Sequence, residues 1–197
     1  MGKSYKEITN ELQDFIVNQK IFFVATATAT SRINLSPKGL DTLRIISPKK
    51  ILWLNLTGSG NETAAHLTTD GRITLMFCSF EGKPLILRLY GKGRVIHPWE
   101  EQWGEFIILF PAFPGARQII QVDVDLVTTS CGFGVPLFEF KGNRDNLIQW
   151  TRKKGENGIR TYWKEKNAKS IDGIPTPFFD DSFLVPKRKE EATSHES

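Results

Sequence analysis

Residues 51–78 read ILWLNLTGSGNETAAHLTTDGRITLMFC, and the reading of this stretch decides the fold. Ile51 to Leu56 is too short and too apolar for a surface helix, and Thr57-Gly58-Ser59-Gly60 stops it, so it predicts a buried strand. Residues 72–78 predict a second strand of the same kind. Between them, Asn61 to Leu67 predicts two turns of helix, which sets a glycine-rich loop at a helix N-terminus. The first N–H groups of a helix have no partner inside it, the macrodipole adds positive charge there, and glycines let the backbone come close. Ser59, Asn61 and Thr63 supply short side chains able to bond to phosphate oxygens. Two readings are open from the residues themselves: an anion cradle, or a turn in which Asn61 simply caps the helix. A dinucleotide fingerprint is excluded, because Gly58 and Gly60 are followed by Thr63 where the third glycine belongs.

Outward from this centre, the chain of 197 residues suits one domain, and 40% hydrophobic with 24% charged residues is the composition of a globular protein. The apolar runs are too short to span a bilayer and the start, MGKSYKE, lacks an apolar signal region, so a cytoplasmic protein without membrane contact is expected. Cys78 and Cys131 are expected as buried free thiols. His66, His97 and His195 are too scattered for a metal site. The net charge of +4 is diffuse and comes with no nucleic-acid motif, so no nucleic-acid partner is expected.

At the N-terminus, Ser4 to Glu7 has the form of a capping box, and Ile8, Leu12, Phe15 and Ile16 repeat at helical spacing, predicting a helix over 4–19. Residues 21–56 are β-branched and aromatic, broken at 30–32, 37–39 and 47–50, and predict four short strands. Leu85 to Ile96 predicts a long strand bent at Gly91 and Gly93. Pro98 then opens a helix with Trp99, Trp103, Phe106 and Phe110 as its stripe. The strand 118–130 is expected to bury Val122, Val124 and Leu126. Ser130 to Pro136 is a second glycine-rich loop, and 143–154 and 156–166 predict two helices. Residues 1–168 thus form the domain and 169–197 an extended polar tail, disordered at its end. Closely spaced antiparallel strands point to a barrel with helices, an α+β fold.

Phe23 to Thr28, Ile33 to Gly39, Ile51 to Asn61, Gly71 to Phe77 and Leu87 to Gly93 stand in an order that resembles the FMN-binding split-barrel family typified by pyridoxamine 5'-phosphate oxidase. The resemblance implies a six-stranded antiparallel split barrel that forms a homodimer, with FMN at each end of the interface. It implies that the strand carrying Asn34, Ser36 and Lys38 and the strand carrying Asn55 and Thr57 line the ring and ribityl chain. The loop with Ser59, Asn61 and Thr63 would meet the phosphate, and Arg88, from either subunit, would be its charged partner.

Two departures accompany the resemblance. The better known oxidases carry a basic signature where this chain has Gly58-Ser59-Gly60-Asn61, so the phosphate charge must be met elsewhere or less fully. They also end in an arginine-rich segment that has no counterpart in PTPFFDDSFLVPKRKEEATSHES. The expectation is therefore a less characterised branch, distinct from the true pyridoxamine phosphate oxidases: an FMN-dependent oxidoreductase on an unknown small molecule, or a non-enzymatic flavin binder. No catalytic residue is assigned, and a deazaflavin or haem in place of FMN stays open.

Overall fold

A computed structural model describes residues 2–177 of the chain. The elements in order are β1 (Lys3–Tyr5), α1 (Asn10–Asn18), β2 (Phe22–Thr26), β3 (Asn34–Lys38), β4 (Leu43–Ser47), β5 (Lys50–Leu56), α2 (Glu62–Thr69), β6 (Arg72–Cys78), β7 (Ile86–Ile96), α3 (Glu101–Ile107), β8 (Ala116–Ser130) and α4 (Asn146–Lys166). All eight strands belong to one antiparallel sheet, ordered β3-β2-β6-β7-β8-β5-β4 with β1 paired to β8. The expected six strands become eight.

The centre read first is as expected, a strand, a loop, a helix and a strand. The unbroken apolar run of β5 has a physical reason. Ile51 and Trp53 face the main core with Phe22, Leu75 and Phe77, while Leu52 and Leu54 face a second core with Ile96, Ile119 and Phe110. A strand buried on both faces has no position for a polar residue until it reaches its end. α1 closes the first core through Leu12 and Ile16, and α3 covers the second through Trp103 and Phe106.

Four local expectations are corrected. The first helix begins at Asn10, not residue 4, because the backbone of Ser4 pairs with Thr128 in β8. Thr9 caps the helix instead, its hydroxyl accepting from Leu12 N at 3.4 Å. Helix α3 starts at Glu101, after a turn at Pro98 and Trp99. Leu126 is exposed, because the register between β7 and β8 slips at Tyr90/Gly91 and places Val127 inward instead. The expected bend at Gly91 is real: a Cβ there would lie 2.1 Å from Asp123 O. Cys78 is buried as expected, but Cys131 is exposed, since β8 has ended at Ser130.

The two C-terminal helices form one element interrupted at Gly155, whose φ of 67° and ψ of 172° are non-helical. Residues 169–177 then fold back: Ser170 and Thr176 are buried, and Ile171 N donates to the Glu62 carboxylate at 3.1 Å. The expected disorder of 187–197 lies outside the described residues. Among the described residues no helix is long and apolar enough to cross a membrane.

Candidate functional site

The loop after β5 is held from below. Arg117, at the start of β8, donates to Gly60 O at 3.2 Å and to Asn167 Oδ1 at 2.6 Å. Asn167, beyond the end of α4, donates to Gly58 O at 3.1 Å. In a trans peptide the carbonyl and the following N–H point oppositely, so the amides of Ser59 and Asn61 face away from Arg117. Thr57 anchors the start of the loop, donating to Gly115 O at 2.8 Å and accepting from Trp163 Nε1 at 2.8 Å. The close approach at Gly115 (φ 75°) leaves no room for a side chain, since a Cβ would lie 2.7 Å from Thr151.

Two cations with no carboxylate dominate the electrostatics. Arg117 is only 2% exposed, and burial pushes its pKa down to about 9. The Lys38 ammonium sits 4.7 Å from the centre of the Trp53 ring, and its pKa is lowered to about 8, first by burial and then by repulsion from Arg117. None of the ion pairs found among the described residues involves either group. Buried charge without a counter-charge is costly unless an anion completes it.

Buried polar atoms without a partner occur at Asn61, His66 and Arg117. Asn61 is 1% exposed and stands at the N-cap of α2, but its side chain bonds no helix N–H, and neither Nδ2 nor Oδ1 finds a partner. Arg117 Nε and His66 Nε2 are also unpartnered. Orphaned buried groups are rare in folded proteins and call for a partner, whether a ligand or ordered water.

Asn34, on β3, ties the strand to this helix by donating to Thr26 Oγ1 and Thr63 Oγ1, each at 3.1 Å. The Thr26 hydroxyl lies 3.1 Å from His66 Nδ1. Ser36 and Lys38 follow Asn34 at alternate positions and share its face.

A cavity of about 1190 Å³ opens beside Lys38. Lys38, Trp53, Asn55 and Thr57 form its floor, and the Asn55 amide donates to Gln118 Oε1 at 3.2 Å. Residues 138–144 of a strap, 131–145, that has no helix or strand also line the cavity. A smaller cavity of about 570 Å³ between α3 and α4 touches none of the nine candidate cofactor residues.

Of the nine residues, Lys38, Asn55 and Thr57 line one cavity, Asn34 and Thr63 are bonded together, Ser36 shares the Lys38 face, and Asn61 is buried at the head of α2. Ser59 is at the exposed loop tip. Arg88 lies apart, between Met76 and Thr128 in the sheet, with its guanidinium 3.4 Å from Ser130 Oγ. Sequence reading missed Arg117, Asn167 and Trp53.

The sequence pattern of the family described as pyridoxamine 5'-phosphate oxidase matches residues 8–131. The chain belongs to that family. A relative from Aspergillus flavus, the pyridoxamine 5'-phosphate oxidase family protein ustO, is 36% identical over 191 residues, covering 87% of this chain and 76% of its own length. The fold is shared with a variant of HupZ from Group A Streptococcus, at a TM-score of 0.50 and 21% identity, over 62% of this chain and 99% of that one. It is shared likewise with a pyridoxamine 5'-phosphate oxidase-like protein of Lactobacillus delbrueckii, at a TM-score of 0.50 and 15% identity, over 62% and 94%. The family match ends at Cys131, where the strap begins.

Proposed function

We propose that the chain binds FMN at the cavity beside Lys38 and acts as a flavin-dependent oxidoreductase on a small molecule. The observation that carries this reading is a pair of cations without a carboxylate: Arg117, buried and bonded to Gly60 O, and the half-buried Lys38 on the cavity wall. These residues fit a phosphate: Lys38 supplies charge at the cavity, Arg117 supplies it from beneath the loop, and the amides of Ser59 and Asn61 face the opposite way from Arg117. Arg117 is the source of positive charge that the loop's own sequence lacks. Trp53 and Asn55 then offer an aromatic floor and a polar edge to the flavin ring.

The flavin would supply electron or hydride transfer, while the protein orients the ring and controls access to it. The described residues on the cavity wall include no histidine, cysteine, methionine or tyrosine, so none supplies an axial ligand to haem iron. This favours flavin over haem.

A homodimer belongs to the same proposal. Arg88 is off the cavity within one copy, and β3 presents Leu35 at 64% exposure, with Ile33 just before it at 78%. A second copy would cover them.

The test is the visible spectrum of the purified chain, taken after incubation with FMN and desalting. Flavin absorption retained at about one per chain, and bleached by NADH or NADPH with turnover, is the expected result. Retention without turnover leaves a flavin binder that is not an enzyme. A colourless protein overturns the reading. Light scattering that shows a monomer of the flavin-loaded chain overturns the dimer.

A further inference from the structure

The strap from Cys131 to Asp145 has no part in the cofactor reading, yet it is fixed over the cavity. Phe138 N donates to Phe80 O at 2.9 Å, and Phe140 N donates to the Glu81 carboxylate at 2.9 Å. The rings of Phe80 and Phe138 lie 5.4 Å apart, and Lys20 stands 6.0 Å from the centre of the Phe140 ring. Despite these ties, Leu137, Phe138 and Phe140 are 76%, 61% and 44% exposed. Large apolar groups held in the open on an anchored loop mark a surface that another molecule covers.

The volume points the same way. One drug-sized ligand occupies a site of roughly 300–1,000 Å³. This cavity exceeds that range, at about 1190 Å³. On the strap side its charged lining is Lys20, Lys141 and Arg144 against Glu81 and Glu139, and Glu81 already accepts from Phe140 N. The balance favours an anion.

We propose that the strap is the binding wall for the second reactant, a planar aromatic acid seated against Phe138 and Phe140 with its anionic group toward Lys141 and Arg144. The site builds on the flavin reading, since the reactant shares the cavity with the cofactor.

The probe is 1-anilinonaphthalene-8-sulfonate, a planar aromatic anion, titrated by calorimetry into the full chain with and without FMN. The expected result is one site per flavin-loaded chain, with the flavin retained. Phe138→Ser with Phe140→Ser should weaken the probe at least about tenfold and leave FMN retention unchanged. Lys141→Glu with Arg144→Glu should weaken it similarly without affecting the neutral analogue N-phenyl-1-naphthylamine.

The proposal is overturned if the probe displaces FMN, if the phenylalanine pair binds it undiminished, or if the neutral analogue binds equally well. It is also overturned if the phenylalanine pair turns a dimer into a monomer with probe binding intact, which assigns the patch to a second copy. Should FMN itself not bind, the flavin reading alone fails. Probe binding that still depends on strap and charge then supports the site.

Discussion

On the proposed reading, the cofactor side and the strap side of the cavity solve recognition in opposite ways. The cofactor side withdraws what it uses from water: burial lowers the pKa of Lys38, and Arg117 and Asn61 are buried at the adjoining loop, Asn61 with two unpartnered polar atoms at 1% exposure. The strap exposes what it uses, with Phe138 at 61%. Desolvated charge gives strength and selects by sign, because each unpaired group has already lost its water. Exposed aromatic area gives less energy per contact and selects by shape. The difference teaches that a desolvated, preorganised region holds one fixed partner, whereas a loosely covered one can be altered without endangering the fold.

The sharpest way to break this contrast is Lys38→Met. Losing a charge-assisted bond of about 2–3 kcal/mol should weaken FMN binding roughly 30- to 150-fold. Melting of the flavin-free variant should be unchanged or higher, because a buried ammonium without a carboxylate is removed. A lower melting temperature with unchanged flavin affinity would make Lys38 structural.

The next largest effect is on pH. Without ligand, Lys38 gives up its proton near pH 8, below its ordinary value, whereas a bound anion keeps it charged. Affinity should therefore be full below pH 8 and fall by up to about tenfold per unit above it. Without flavin the sign reverses. The cost of burying the ammonium is present below about pH 8 and is relieved between that value and 10.5, so this group's contribution to stability rises with pH across the window. Titrations of FMN binding and of chemical unfolding check the two signs, and both slopes should vanish in Lys38→Met.

Asn61→Ala should show a smaller and divided effect. Flavin binding weakens about five- to tenfold, yet the empty protein gains on the order of 1 kcal/mol because two unsatisfied atoms are gone. Calorimetric melting with and without FMN separates the two. Smallest of all, Ser59→Ala at the loop tip and Leu137→Ser on the strap should each shift stability by less than about 0.5 kcal/mol. A large loss of FMN from Ser59→Ala would move the weight of phosphate binding from the buried cations to the loop side chains.

How far the sequence revealed this depends on the range of the forces involved. β5, α2 and β6 were legible because short apolar runs and glycines encode them locally. Ser4-x-x-Glu7 misled because its local capping chemistry lost to pairing with a strand more than a hundred residues away. Leu126 misled because the bulge that turns it out is marked only by Gly91 on the neighbouring strand. In the candidate site, the glycine-rich loop at the head of α2 was legible from composition and spacing. Arg117 was not, since one basic residue at a strand end reads as surface, and its burial depends on Asn167 arriving from beyond α4.

Strand β8 bonds to β7 over most of its length, to β5 along its first half and to β1 near its end. Its last partner, Lys3, therefore waits for Thr129 to be made. At translation speeds of about 5–20 residues per second, the stretch from Leu56 to Thr129 takes roughly 4–15 s to make. Over that interval one edge of β5, and after Ile96 one edge of β7, waits for β8 and is open to other chains. Aggregation during synthesis is thus the hazard of this topology, and overexpression should yield more soluble protein at low temperature and with chaperones than a survey of the finished surface suggests.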